Sequence, residues 1–357
     1  MPSPIQFKTP NFAAFPTTRF HGSKRRLLGF LYEKLVPLQI TTALDLFSGS
    51  ATVLLLLRSM NINVDANDYL AYNKNIAALF LRLMHSALPT LDAARADLTA
   101  LLNGRLTREP LVSQNFGDVF FTDWENMQID RFCQNVGGLC HADLYVYAVG
   151  QALLKKRPFG LFHRCNLNLR RNVVTRSFGN KTTWETTILD HALQTIAELR
   201  RCEWPNQPGG AAFGVNTACG LTTLPDRYDL IYVDPPYVSS RSGKATNYAD
   251  LYHFLNGLIE YDLYDSPDLR HKHRPVFRGT GAWAKPDAAL TELNSYFTKW
   301  PSSIIAISYR SDGAPTLPAM IEVAAQHGRR CELHTTTFQY ALSPSASMET
   351  LLIAYRS

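Results

Sequence analysis

Short apolar runs alternate with longer stretches of helical character along this chain. Thr42-Ala-Leu-Asp-Leu-Phe47 is a compact apolar run, closed by Ser48-Gly49-Ser50 and followed by an apolar stretch of helical length, Thr52–Met60. Asn61-Ile-Asn-Val-Asp-Ala-Asn-Asp68 reads as a second strand, with a helical stretch over Tyr69–His85 behind it. Strand, small-residue turn, helix, strand is the βαβ unit of a parallel sheet. From about residue 90 to 155 the pattern is helical, including Leu91–Leu102 and Ala142–Lys156, with no strand alternation. A further helical stretch, Thr183–Arg201, precedes the turn-rich Pro205-Asn-Gln-Pro-Gly-Gly210, which marks a boundary.

Beyond that boundary the βα pattern resumes. Tyr228–Val233 and Ser302–Ser308 suit buried strands, and Tyr248–Ile259 and Ala289–Lys299 suit helices. Asp265–Pro275 reads as a loop rich in His and Arg. At the carboxyl end, Glu332–Tyr340 and Glu349–Tyr355 are expected to pair as an antiparallel hairpin at the sheet edge. The whole predicts one α/β sheet, residues 1–95 and 210–357, interrupted by a largely helical and basic insertion at 96–209.

A length of 357 residues, 46% hydrophobic and 18% charged, describes a globular chain rather than a disordered one. No apolar run reaches the ~18 residues of a membrane span. The amino terminus lacks the charged-then-apolar layout of a signal peptide, so a cytoplasmic protein is expected. The six cysteines include no C-x-x-C pair. Cys133, Cys140 and His141 lack zinc spacing, so reduced thiols and no metal are expected.

The net charge of +6 is unevenly placed. Lys155–Lys181 holds eight Lys or Arg and no acid, and without it the chain has 28 basic against 30 acidic residues. A local excess of this kind suits a surface that faces phosphates, a solvated basic face being the plainer alternative.

Asp234-Pro235-Pro236-Tyr237 follows the apolar run Tyr228–Val233, where a parallel strand would end. Ligands in open α/β sheets gather outside the carboxyl ends of strands. Two prolines stiffen the turn, setting a carboxylate, a backbone carbonyl and an aromatic ring around one point. Phe47-Ser-Gly-Ser50 offers small residues where a backbone approaches a ligand, and Asp68 stands where an acid takes both hydroxyls of a ribose. A generic βαβ turn with a helix-capping Asp remains open on these residues alone. Arg19-Phe-His-Gly-Ser-Lys24 opens a helical stretch upstream; Lys24 could reach a cofactor carboxylate there, or simply begin a basic helix.

The order Phe20-His-Gly22-Ser-Lys24, Asp45-Leu-Phe47-Ser-Gly49-Ser50, Asn67-Asp68, Asp234-Pro-Pro-Tyr237 resembles the Dam-like, alpha-ordered DNA adenine N6-methyltransferases. Phe162–Arg170 and Ser177–Gly179 resemble that family's target-contacting segment, and Ile307–Gly313 and Met348–Ile353 its later strands. The resemblance spans nearly the whole chain and implies a Rossmann-like methyltransferase sheet. It implies S-adenosylmethionine as cofactor, with Phe20, Gly22, Lys24, Asp45, Phe47, Gly49 and Asp68 holding it. It implies double-stranded DNA as substrate, in an orphan system or in restriction–modification beside a cognate endonuclease. Arg164, Asn166, Asn168, Arg170, Arg171, Arg176 and Lys181 would then contact DNA, and Phe162 or Phe178 would fill the gap left by a flipped base. Tyr248, Tyr252 and Phe254 are expected to pack in the core.

Two departures stand out. Ala51 occupies the second glycine of the family's F-x-G-x-G turn, and Gly214–Ala218, taken as the strand before the catalytic one, lacks the usual acid, so that Asn216 or Thr217 would replace it. Asp234 at the head of its motif favours adenine. The alternatives are methylation of RNA adenine or cytosine N4, or an inactive nucleic-acid-binding relative.

Overall fold

The computed structural model describes residues 9–83, 88–165, 167, 180–204, 209–239, 245–277, 279, 281, 283, 285–338 and 347–356. Helix α1 (Leu28–Leu35) leads into β1 (Thr42–Asp45), α2 (Thr52–Ser59), β2 (Asn63–Asn67) and α3 (Ala71–Arg82). A helical stretch follows: α4 (Leu91–Asn103), α5 (Leu111–Asn115), α6 (Asp123–Asn135), α7 (Ala142–Lys155), α8 (Asn180–Glu185) and α9 (Ile188–Arg201). The chain then returns through β3 (Ala212–Phe213), α10 (Thr217–Gly220), β4 (Leu230–Val233), β5 (Val238–Ser239) and α11 (Tyr248–Asn256). It closes with α12 (Pro286–Lys299), β6 (Ile304–Arg310), β7 (Gly313–Ala314), α13 (Leu317–Gln326), β8 (Arg330–Phe338) and β9 (Ser347–Tyr355).

Seven strands form one sheet in the order β3-β2-β1-β4-β6-β9-β8. The first five run parallel, and β9 is antiparallel to both its neighbours. The expected hairpin is present, with β9 inserted between β6 and β8. This is the α/β architecture expected of a Rossmann-like methyltransferase.

Both faces of the sheet are covered, which is why β4 reads as an unbroken apolar run, Leu230–Val233, buried throughout. Ala43, Ala66, Tyr232, Leu351 and Ile353 belong to one buried cluster, and Leu44, Ile231, Ile305 and Leu352 to the other. The first cluster runs without a break into the helical stretch. There α7 packs on α3, so closely that a Cβ on Gly150 would lie 2.3 Å from the Tyr72 hydroxyl.

Two local expectations are corrected. Thr183–Arg201 is two helices, because the Thr187 side chain accepts from Asp190 N–H and caps a new start. The strand before β4 is Ala212–Phe213, not Gly214–Ala218. Asn216 instead caps α10, accepting from Ala218 N–H at 3.1 Å, and the Thr217 hydroxyl donates to Glu292. Helix α13 has a Thr316 cap and a proline in its first turn, a start signal that the apolar pattern alone does not isolate.

From β1 the chain steps to β2 and β3 on one side, while β4 lies on the other. The crevice at the carboxyl ends of β1 and β4 is therefore the topological switch point.

Candidate active site

The turn after β1 forms one wall of that crevice. Gly49 has φ 48° and Ala51 φ 56°, so two residues of the turn are left-handed before α2 begins. Asp68, just past β2, ties this turn down: it accepts Gly49 N–H at 2.9 Å, Leu70 N–H at 2.9 Å and Asn73 Nδ2 at 3.1 Å. Asn67 adds a second clamp, donating to Leu46 O and Val215 O at 3.1 and 3.0 Å and accepting from Val215 N–H at 2.9 Å. Burial pushes the Asp68 carboxyl up to about 6 against these donors.

The amino-terminal segment forms the opposite wall. Phe20 stacks on Tyr252 (centroids 4.5 Å apart) and on Tyr248 (5.4 Å), and its edge lies against Gly49, where a Cβ would stand 3.2 Å from the ring. Gly22 has φ 84°, and a Cβ there would lie 2.6 Å from the Tyr248 hydroxyl. Glycine is thus required both by conformation and by contact. The cavity enclosed measures about 290 Å³ and is lined by all seven residues expected to hold a cofactor and by all four of the Asp-Pro-Pro-Tyr turn.

Charge is concentrated where β4 ends. The Lys24 ammonium, 5% exposed, lies 2.7 Å from Asp234 Oδ2 and 5.0 Å from the centre of the Tyr237 ring. The Tyr237 hydroxyl reaches Asp234 Oδ1 at 2.9 Å and Glu349 Oε2 at 3.2 Å. Burial raises the Asp234 carboxyl, with Lys24 and Tyr237 opposing the rise. Asp45 sits deeper, accepting Leu54 N–H at 3.1 Å; burial, reinforced by the Asp234 charge, pushes it up to about 8. Three acids beside one lysine make a site in which proton positions respond to any charged ligand.

Several expectations change here. Lys24 lines the same cavity as the other residues expected to hold a cofactor and pairs with Asp234 of the turn after β4. Phe162 is fully buried in an aromatic cluster with Phe120 and Phe254 and so is not free to enter a DNA stack. Tyr252 and Phe254 are buried as expected, whereas Tyr248 lines the cavity. Of the DNA-contact residues, Arg164 is exposed. Asn166, Asn168, Arg170, Arg171 and Arg176 lie outside the described residues, as do Phe178 and the side chain of Lys181. The basic loop near 270 is largely tied to the protein: Arg270 forks onto Asp268, His273 bonds Asp250 at 2.8 Å, and Arg274 donates to Asn115 O.

Glu349, Asn73 and Arg310 join the site without having been singled out, and Tyr248 joins it although it was expected in the core. Asn73 stands five residues after Asp68 in the first turn of α3, near enough along the chain to reach back to it. Glu349 had no such signal, because its place depends on β9 inserting beside β6.

No protein-family profile matches the chain. It is similar to the Type II methyltransferase M2.HphI of Haemophilus parahaemolyticus, with 22% identity over 341 residues that cover 93% of this chain and 94% of that protein.

Proposed function

We propose that this chain is a Dam-like DNA methyltransferase that moves a methyl group from S-adenosylmethionine to N6 of adenine. One observation carries the reading: the Asp-Pro-Pro-Tyr turn and the Gly49–Asp68 elements line one cavity at the switch point of the sheet. Similarity to a Type II methyltransferase along nearly the full length supports the same class of chemistry.

The cavity's own residues fit the cofactor. Gly22 and Gly49 let backbone come close, and Phe20 and Phe47 offer apolar walls. Asp45 Oδ1 is buried with no partner among the described residues, an acceptor that a ligand's cationic amino group would satisfy. Asp68 is the residue for the ribose, with about one of a carboxylate's four lone-pair sites left on Oδ1 beyond its three protein donors. Ala51 adopts the left-handed conformation that a glycine would take, so the turn keeps its shape despite the substitution. This supports an active enzyme over an inactive relative. Bound S-adenosylmethionine supplies a methyl group made electrophilic by its sulfonium.

Adenine N6 delocalises its lone pair into the ring and is a poor nucleophile. The Asp234 carboxylate and the Pro235 carbonyl accept its two hydrogens, which redirects the lone pair toward the methyl group. Lys24 favours the ionised form of Asp234 against the burial that opposes it, and the Tyr237 ring offers a stacking surface to a base that has left the duplex. Positioning and local electrostatics provide the catalysis, and no covalent enzyme intermediate is required. Residues 96–209 serve target recognition in this reading, with the basic residues of 155–181 on phosphates and Asn166 and Asn168 on base edges or backbone. A restriction endonuclease is the natural partner in a restriction–modification setting.

The test supplies labelled S-adenosylmethionine with genomic DNA or total RNA, then separates the nucleosides. Label in N6-methyldeoxyadenosine is expected. Label in N4-methylcytosine, in RNA alone, or in neither nucleic acid overturns the reading.

A further inference from the structure

Glu349 is the third residue of β9 and pairs across the sheet with Arg310 of β6 and Thr336 of β8. It is 1% exposed. Among the described residues its Oε1 has no partner, while its Oε2 lies 3.2 Å from the Tyr237 hydroxyl. That hydroxyl is also 2.9 Å from Asp234 Oδ1. One hydrogen is therefore shared between two carboxylates, and Lys24 already occupies Asp234 Oδ2. An amine arriving at Asp234 meets a carboxylate whose two oxygens both have donors.

We propose that Glu349 is a positioning residue for methyl transfer: it takes the Tyr237 hydroxyl hydrogen, freeing Asp234 Oδ1 for the amine, and receives through that hydroxyl the proton the amine releases. This rests on the function proposed above. The amine nitrogen bonds to the methyl carbon as the carbon–sulfur bond breaks, and that electron pair goes to sulfur. The nitrogen, now cationic, gives one proton to Asp234 Oδ1. Asp234 passes a proton to the Tyr237 oxygen, and Tyr237 passes its own hydroxyl proton to Glu349 Oε2. Tyr237 ends neutral, Asp234 ends ionised, and the released proton rests on Glu349.

The surroundings suit that role. Burial raises the Glu349 carboxyl to about 7, the Lys24 charge opposing and the Asp234 charge assisting. A base of that strength accepts a proton near neutral pH and gives it up again. The groups facing it are Asp234, Tyr237 and Tyr232 from β4 and its turn, Lys24 from the amino-terminal segment, Arg310 from β6 and Tyr248 from α11. On β8, His334 is two register pairs away on the same face.

Single-turnover rates against pH, for wild type, Glu349→Gln, Tyr237→Phe and the double variant, test this. Wild type is expected to slow as pH falls below about 7. Glu349→Gln should be about 10²-fold slower and lose that acid limb. Tyr237→Phe, which keeps the ring, should do the same, and the double variant should be no slower than either. In ligand-free protein, a ¹³C-labelled glutamate carboxyl should titrate near pH 7 in wild type, shift in Tyr237→Phe and vanish in Glu349→Gln. Unchanged rate and limb in Glu349→Gln, additive losses, an effect on KM alone, or no glutamate titrating near 7 would each overturn the proposal. Wild type that forms no N6-methyldeoxyadenosine overturns the underlying function instead, whatever the glutamate does.

Discussion

Lys24 Nζ and Asp234 Oδ2 lie 2.7 Å apart, joining the amino-terminal segment to the turn after β4 across the mouth of the sheet. Without the ammonium, Asp234 and Glu349 both lose a charge that opposes burial, and both carboxyls rise further above the ordinary range. Lys24→Gln is therefore expected to move the pH–rate profile for methyl transfer to higher pH. On the acid limb, the rate at a fixed pH should fall about tenfold for each pH unit the profile moves. Calorimetry separates this from a cofactor role: a large loss of S-adenosylmethionine affinity with an unmoved profile would place Lys24 on the cofactor instead.

Asp234→Asn should cut the transfer rate by at least ~10²-fold while leaving DNA affinity nearly unchanged, since Asp234 is placed at the amine and not at phosphates. Arg170→Ala with Arg171→Ala should behave oppositely, weakening binding and flattening its salt dependence by about two contacts. Filter-binding titrations over a salt series read both, and equal loss of both activities in Asp234→Asn would mark it as a folding residue.

Gly22 and Tyr248 form a contact that predicts a rescue. A Cβ at Gly22 meets the Tyr248 hydroxyl at 2.6 Å but the next ring atom only at 3.8 Å. Gly22→Ala should weaken cofactor binding and destabilise the fold, and Tyr248→Phe should restore part of both by deleting the clashing atom. The strain of φ 84°, about 1–2 kcal/mol, would remain. Thermal unfolding of the two single variants and the double variant shows whether the rescue occurs.

Ala51 holds φ 56° with its side chain fully buried. Ala51→Gly relieves about 1 kcal/mol of left-handed strain and loses a buried methyl of about 0.8 kcal/mol. Near-neutral stability and undiminished cofactor affinity are expected. Ala51→Val should be far worse, because a branched residue at positive φ is strongly disfavoured. Urea unfolding and calorimetry on both variants check this, and a large loss in Ala51→Gly would show that packing dominates.

Asp45 predicts a slope of stability with pH. Its folded carboxyl is pushed up to about 8, against about 3.9 in an unfolded chain. Between those values the folded state holds a proton that the unfolded state has released, so stability falls as pH rises from about 4 to 8. Asp45→Asn keeps an acceptor for Leu54 N–H and removes the penalty. It should be more stable than wild type at pH 8, by a few kcal/mol, and similar at pH 4. Asp68 and Glu349, raised to about 6 and 7, leave a smaller slope of the same sign. Chemical unfolding at several pH values measures it, and parallel curves for the two proteins would count against a buried, protonated Asp45.

Periodicity alone located β1, β2, β4, β6 and most helices to within a few residues, because each buries an unbroken or periodic apolar face. It misplaced β3, a two-residue edge strand whose Ala212–Phe213 carries too little pattern to register. The turns at Phe47–Gly49 and Asp234–Tyr237 were legible because glycine and proline dictate backbone shape wherever they stand. Phe162 was misjudged for the converse reason: an aromatic residue looks the same in sequence whether it faces solvent or Phe254.

The sequence by itself determined that this chain folds as a mainly parallel α/β sheet with candidate site residues at two strand ends, since strand period, turn residues and strand-terminal acids are local properties. Only the tertiary structure decided which charges meet. Lys24 faces Asp234 because the amino-terminal segment closes over the switch point. Glu349 reaches Tyr237 because β9 runs antiparallel beside β6. The proton balance of a buried site depends on charges only a few ångströms apart, and that proximity is set by strand order, which no local pattern of residues encodes.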